Sequence, residues 1–492
     1  MNKLYDIVFS TKEDRKLLYF KGQVDVNEQG LHISSGNTVD FLTYFNSFSI
    51  SKWKEYTTIK KIQINGTLIG SAEIEIYTIG KEEKVLTKSQ VNGAFSLDFD
   101  VENISGEILG IKVIAESKVI FQKLTYLGEF EEWKNKKIGV VICTFKREQY
   151  VKVTIDKLTQ FSKDNQWLTT LVVDNGSTLE ELETDNLRII HNPNYGGSGG
   201  FTRGLIENLK SKTNDYVLLM DDDIDLEPSA LAHTYGLLCG LKDEYKESFL
   251  SGAMLRMHIP YIQHENTAYW GKIRLHSIGK GWNLTDNHVL LNNERIKNYD
   301  NQYGAWWYCC IPLKRVIEIG LPLPVFVKGD DIEYSLRNER KLIHLNGIGV
   351  WHEAFEGKQA LWVDYFAYRN FFIMNHYATG CNRWTLLAMI LGRMTVHFIK
   401  GHFDETKILI LALKDAMGGF EKITELPADE KLKQVREYKP QTSYIFAVLA
   451  NIKIAFKCLL NYNEINKKYH KFRIEELNNT SFWIKYLNKS KG

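Results

Sequence analysis

Cysteine is scarce and scattered in this chain. The six residues Cys143, Cys239, Cys309, Cys310, Cys381 and Cys458 form no CxxC pair among 492 positions, which points to free, buried thiols in a reducing compartment rather than to a disulfide framework. The first residues, MNKLYDIVFSTKEDRK, lack the apolar middle of a signal peptide and are interrupted at Asp6, so an unsecreted, cytoplasmic chain is expected. The apolar run at 444–460 is broken by Asn451, Lys453 and Lys457 and falls short of the roughly 20 residues that a bilayer span needs. There is no GxxxxGK[ST], no HExxH and no GxSxG, which removes P-loop kinases, zincins and serine hydrolases. Internal repeats and low-complexity tracts are missing as well. Net charge is only +2, and basic residues do not interleave with aromatics, so no nucleic acid partner is expected.

That small net charge hides an uneven distribution. Residues 431–492 hold 13 Lys plus Arg against 4 Asp plus Glu, a local +9 that leaves −7 on the rest. Such a segment calls for an anionic surface as partner. With 44% hydrophobic and 25% charged residues, the chain has the composition of a globular protein of two to four domains. Residues 1–133 alternate apolar and polar positions in runs such as KKIQINGTLIG and SAEIEIYTIG, a period of two with turn residues between, which predicts a jelly-roll-like antiparallel β-sandwich. Trp53 and Tyr56 leave open whether this unit binds glycan or is purely structural. After the connector EFEEWKNKK, residues 134–358 change to apolar strands separated by amphipathic helices: IGVVICTF, WLTTLVVDNGS, LRIIHNP and DYVLLMDDD are strands, and REQYVKVTIDKLTQF is a helix. This is the signature of an α/β domain with a mostly parallel sheet, and ligands of such sheets bind at the carboxyl ends of the strands. Residues 359–492 read as a helical, basic domain, with Gly418 and Gly419 as a stop between helices.

The strand YVLLMDDDIDLEP ends in Asp221, Asp222 and Asp223. Adjacent carboxylates at a low-dielectric strand end repel one another and demand a cation or protons. Asp221 and Asp223, on alternate positions, could share one divalent ion; Asp225 and Glu227 suit the start of the helix at Pro228. In NYGGSGGFTRG the glycines admit close backbone approach or form a tight turn, but their spacing is not that of a dinucleotide site. Asp330 and Asp331 open a further helix, one as an N-cap and the other free for proton transfer. His352 follows a short apolar run, and Trp270, Trp306, Trp307 and Trp351 supply flat faces for sugar rings or for the core.

The ordered motifs CTFKR, VVDNGS, NYGGSGGFTRG, LLMDDDIDLEP, WWYCCIPL, PLPVFVKGDDIEYSLR and GVWHEAF resemble those of the bacterial galactofuranosyltransferases of glycosyltransferase family 2, over about residues 138–356. The resemblance implies a GT-A catalytic domain flanked by the β-sandwich and the helical domain, with UDP-galactofuranose as donor and Mn2+ or Mg2+ as cofactor. It implies Asp221, Asp223 and His352 as metal ligands and Asp331 as the general base of an inverting transfer. Thr144, Arg147, Asp174, Asn175, Asn194 and Asp222 are then expected to line the donor, and Glu265, Trp270, Trp306, Trp307 and Asp330 the acceptor, a lipid-linked or polymeric glycan. Where a well-known member of that family carries a tryptophan before the aspartate pair, this chain has Gly329. A related transferase with another nucleotide sugar, such as a rhamnose donor, is the alternative reading, and a non-catalytic glycan-binding or scaffold protein is the alternative of another class. The expected location is the cytoplasmic face of the cell membrane, held loosely by the anionic lipid surface; a homo-oligomer stays open.

Overall fold

The computed structural model describes residues 1–353, 360–376, 380–438 and 443–489; the boundary expected at 358 lies outside the described residues. In the N-terminal third, strands β1 (Ile59–Ile79), β2 (Lys84–Asp100), β3 (Ile108–Ala115) and β4 (Val119–Phe130) belong to an antiparallel sheet that has nine strands among the described residues. The runs KKIQINGTLIG and SAEIEIYTIG, expected as separate strands divided by turns, are one 21-residue strand, β1. Its first half pairs with β4 and its second half with β3, while β2 accompanies both. The glycine-containing break is a register shift between Thr67 and Ser71. A bulge of this kind lets one strand change direction and serve two groups of strands. The short helix α1 (Ile50–Tyr56) carries Trp53 and Tyr56 inward, and both are fully buried. They are core residues rather than a glycan platform.

An α/β domain follows with β5 (Ile138–Thr144), α2 (Glu148–Asp164), β6 (Leu168–Asp174), β7 (Leu187–His191), α3 (Gly196–Ser211) and β8 (Tyr216–Asp221), then β9 (Ile224–Leu226) and α4 (Pro228–Cys239). Strands β7, β6, β5 and β8 lie side by side in that order, all parallel. The chain order reverses at β5, so the carboxyl ends of β5 and β8 flank the switch point where such sheets take ligands. Strands β5, β6 and β8 are buried on both faces along most of their length, and alternation divides the faces. Val140, Ile142, Val172, Leu218 and Met220 join the core shared with the N-terminal sheet. Val141, Val173, Val217 and Leu219 join the core shared with the C-terminal helices. Because successive side chains on a strand point to opposite sides, the same short runs bind both flanking units.

A smaller sheet lies beside the switch point. It consists of β9, β10 (Ala253–Arg256), β11 (Gln263–Glu265) and, between β9 and β10, β12 (Gly349–His352). Helix α5 (Asp330–Asn338) precedes β12. Beyond it come α6 (Leu361–Met374), α7 (Arg383–Lys400), α8 (Phe403–Met417) and α9 (Tyr444–Leu460). The basic C-terminal residues are not a loose tail: Trp483 donates to the Pro322 carbonyl at 2.9 Å, and Tyr195 donates to the Tyr486 carbonyl at 2.7 Å, closing the last helix onto α3.

Candidate functional site

Strand β8 delivers Asp221 to the switch point, a two-residue turn follows, and β9 leaves antiparallel to β12 with Ile224 opposite His352. This geometry turns Asp221 and Asp223 toward His352, with ligand atoms of all three within 4.8 Å of one another. His352 Nε2 is 3.0 Å from Asp223 Oδ1 and 3.8 Å from Asp221 Oδ2. Its Nδ1 lies 2.6 Å from the Glu353 carbonyl, which can only accept, so Nδ1 carries the hydrogen and Nε2 faces the carboxylates. Two carboxylates and an imidazole whose outer nitrogen is held by a carbonyl are a donor set that fits Mn2+ or Mg2+. Asp222 turns the other way, accepting from Thr144 Oγ1 at 2.7 Å and from Arg147 at 3.3 Å; Arg147 also pairs with Asp223.

The three acids are electrostatically unequal. Burial, with its acidic neighbours adding, pushes Asp221 up to about 7. At Asp223 burial also acts upward, but His352 and Arg147 outweigh it and hold the group at about 2. A cluster that keeps one carboxylate ionised and another near neutrality is poised to exchange protons for a cation.

The N-terminal unit supports this corner. Arg15 places its guanidinium 4.0 Å from the Trp351 ring centre and donates to Asp225 Oδ2 at 2.6 Å, and Asp225 and Trp351 are cross-strand partners one rung from His352. Glu227 caps α4 by accepting from the Ser229 amide at 3.3 Å, as expected, whereas Asp225 is taken up by Arg15, Lys12 and Lys157.

Across the site, Asp330 and Asp331 begin α5. Neither is the N-cap: Gly329 holds that position with φ of 82°, in the left-handed region that favours glycine. Asp331 Oδ1 accepts from the neighbouring Ile332 amide at 2.8 Å. Burial and the charge of Asp331 raise Asp330 above the ordinary carboxylate range, and burial likewise raises Asp331. The loop before them is gripped from α6. Asn370 donates to the carbonyls of Val325, Val327 and Lys328 at 2.7–3.0 Å, and Arg369 donates to Val325 at 2.8 Å. The sequence reading missed these two, although an Arg–Asn pair inside the apolar run YFAYRNFFIM is the signal that could have found them. Glu265, at the end of β11, accepts from Tyr303 at 3.2 Å and from Ser277; burial, with Asp331 contributing, raises it to about 7. Tyr303 and Ser277 were missed as well.

Several expected contacts are corrected. The Asp174 carboxylate is fully buried and is occupied by the amides of Gly176, Thr178 and Leu179 at 2.6–2.8 Å, so it shapes the turn after β6 rather than touching a donor. Asn175 is also spent on the protein: it donates to the Gly196 carbonyl at 3.0 Å and accepts from Asn192 at 2.8 Å. Trp270, Trp306 and Trp307 are 2%, 4% and 8% exposed and pack in the two cores, so none presents a free ring face. The glycine-rich stretch is neither a tight turn nor a loop but the opening of α3. A Cβ on Gly200 would lie 2.1 Å from Cys143 Sγ, so glycine is what allows α3 to rest against β5. Asn194, half-buried, accepts from the Gly196 amide at 3.2 Å just before that helix.

Residues 12–127 match the family Galactofuranosyltransferase 2 N-terminal, and residues 139–243 match Glycosyl transferase family 2. The chain is 23% identical to Galactofuranosyltransferase GlfT2 of Mycolicibacterium smegmatis, over 84% of this chain and 68% of that protein. It is 26% identical to Galactofuranosyltransferase GlfT2 of Mycobacterium tuberculosis, over 75% of this chain and 62% of that protein. The chain thus spans about two thirds of the length of these relatives. Among solved structures, S. aureus TarS superposes with a TM-score of 0.37 at 14% identity, covering 66% of this chain and 55% of that one, a likeness too slight to carry any inference.

Proposed function

The chain carries a family 2 glycosyltransferase domain and is a glycosyltransferase, and from that premise we propose that it moves galactofuranose from UDP-galactofuranose to a hydroxyl of a growing cell-surface glycan, with inversion. The observation that carries this reading is the grouping of Asp221, Asp223 and His352 at the switch point, in a chain whose curated relatives are named galactofuranosyltransferases. In this reading Asp221, Asp223 and His352 hold Mn2+ or Mg2+, which when bound supplies Lewis-acid chemistry at the donor diphosphate. Thr144, Arg147, Asn194 and Asp222 border the nucleotide side.

Asp331 accepts the proton of the acceptor hydroxyl as that oxygen attacks the anomeric carbon from the face opposite the leaving group. Its raised proton affinity brings it closer to the value at which a base works best near neutrality. Glu265, held by Tyr303 and Ser277, and Asp330 orient the acceptor.

The test is a panel of nucleotide sugars offered with a galactofuranose-containing acceptor, with products read by mass spectrometry and anomeric configuration by NMR. Transfer from UDP-galactofuranose, stopped by excess EDTA and restored by Mn2+ or Mg2+, is expected. Preference for a pyranose or deoxysugar donor, or full turnover in EDTA, overturns the reading.

A further inference from the structure

The loop that leads into the aspartate pair is bent where side chains rarely go. Phe326, Lys328 and Gly329 have φ of 72°, 67° and 82°. Glycine accepts the left-handed region freely, but the Cβ atoms of Phe326 and Lys328 make it a strained one for them. Such a backbone persists only where its surroundings over-determine it.

Two elements do so. From α3, the Ser198 amide donates to the Phe326 carbonyl at 3.1 Å, and that carbonyl lies so close to Gly196 that a Cβ there would come within 2.2 Å of it. From α6, the side-chain amide of Asn370 donates to the carbonyls of Val325, Val327 and Lys328 at 3.0, 2.7 and 2.8 Å. Arg369 decides which way that amide points: its Nε donates to Asn370 Oδ1 at 2.9 Å, so the nitrogen is turned to the loop, and its Nη2 donates to the Val325 carbonyl at 2.8 Å. Arg369 is 1% exposed, with its guanidinium 4.9 Å from the Phe366 ring centre and 5.4 Å from that of Tyr365. Tyr365 donates in turn to Asp415 of α8 at 2.5 Å, and Asp415 pairs with Lys431 at 2.6 Å. Apolar residues would pack α6 against the loop at less cost than a buried guanidinium. A polar clamp adds what packing lacks, the direction of three successive carbonyl groups just ahead of Asp330 and Asp331.

We propose that Asn370, oriented by Arg369, is a positioning residue that holds loop 325–329 in its left-handed form and thereby sets where Asp331 meets the acceptor hydroxyl. The C-terminal helices then act on transfer through the base. This inference rests on the assignment of Asp331 as that base. Aim matters because a misplacement of about 1 Å at a reacting group costs on the order of 100-fold in rate.

The test uses the full chain and the nucleotide sugar that the wild type turns over. Asn370→Ala removes all three loop bonds, so transfer at saturating substrates should fall by about 10-fold or more, while the donor KM and the affinity for UDP, read by calorimetry, hold. Placed on Asp331→Asn, the same change should cost almost nothing further, because a loop without its base has nothing to aim. Lys328→Gly relieves the strain at one position and should recover part of the rate lost in Asn370→Ala. Melting by circular dichroism shows which variants fold. Arg369→Lys keeps the buried charge but loses the fork that orients the amide, and should give the same split between rate and donor KM even if Asn370→Ala does not fold. An unchanged limiting rate in folded Asn370→Ala or Arg369→Lys, a raised donor KM at normal rate, a loss that multiplies with that of Asp331→Asn, or no recovery by Lys328→Gly overturns the positioning role alone. Near-normal transfer by Asp331→Asn overturns the base assignment, and the positioning role falls with it.

Discussion

Asp330 and Asp331 share one helix start, and the two cannot do the same work. Asp331 interacts electrostatically with Asp221 and Glu265, whereas Asp330 lies 3.6 Å from where a Cβ on Gly197 would sit, on the α3 side. Asp331→Asn keeps size and removes the proton acceptor, so transfer at saturating substrates should fall by about 100-fold or more while UDP affinity, measured by calorimetry, holds. Asp330→Asn should raise the acceptor requirement more than it lowers the limiting rate. The reverse pattern would exchange the two roles. Because burial raises Asp331, the wild-type rate should be lost, as pH falls, well above the ordinary carboxylate value of about 4. The protonated acid cannot accept, so this acidic limb should vanish in Asp331→Asn. At this scale the sequence spoke clearly where like charges crowd: Asp221 and Asp223 had to have a cation or protons. It was silent where a polar group's partner decides its role, as at Asp174 and Asn175, because three backbone amides folded onto a carboxylate leave no mark on local composition.

The opening of α3 shows the same limit for whole elements. Glycines in NYGGSGGFTRG announced close approach, but not whether a ligand, a turn or another element does the approaching. The answer differs by position. A methyl group on Gly200 would press into Cys143 and Asn175, whereas on Gly197 its nearest neighbour is Asp330 Oδ2 at ordinary contact distance. Gly200→Ala should therefore destabilise the fold by about 1–3 kcal/mol through overpacking. Gly197→Ala should leave stability nearly unchanged and alter transfer kinetics instead. Urea unfolding of both variants decides it, and equal losses would show that α3 adjusts as a rigid body. The parallel strands and the major helices were legible because apolar periodicity is local. The continuity of β1 was not: Asn65-Gly66 and Ile69-Gly70 look like turns until β3 and β4 are seen pairing with successive halves of one strand.

On the scale of the whole molecule, the N-terminal sheet is built into the core of the catalytic domain, and the seam is marked by histidines. His233 meets the Tyr5 ring at 3.6 Å between centroids, and the His344 carbonyl accepts from Tyr56 at 3.5 Å. His376 stacks on Tyr462 within the C-terminal helices. Burial drives all three down to about 3 from an ordinary value near 6.5. Below 6.5 the unfolded chain binds protons that the folded chain refuses, so stability declines progressively as pH falls from 6.5 toward 3, by about 1.4 kcal/mol per pH unit for each group. Asp225, held at about 2 by Lys157, Arg15 and Lys12 against the upward pull of burial, adds a loss of the same sign at lower pH, below about 4. Since two of the histidines sit on the seam, its opening and the unfolding of the parallel sheet should be one event. Melting followed by tryptophan fluorescence and by far-ultraviolet circular dichroism should give coincident transitions that drop steeply between pH 6.5 and 4.5. His344→Gln, lacking a group to protonate, should flatten that slope by about one proton. A midpoint that stays level over this interval, or two separated transitions, would mean that the N-terminal sheet is an appended module and that these imidazoles are solvated.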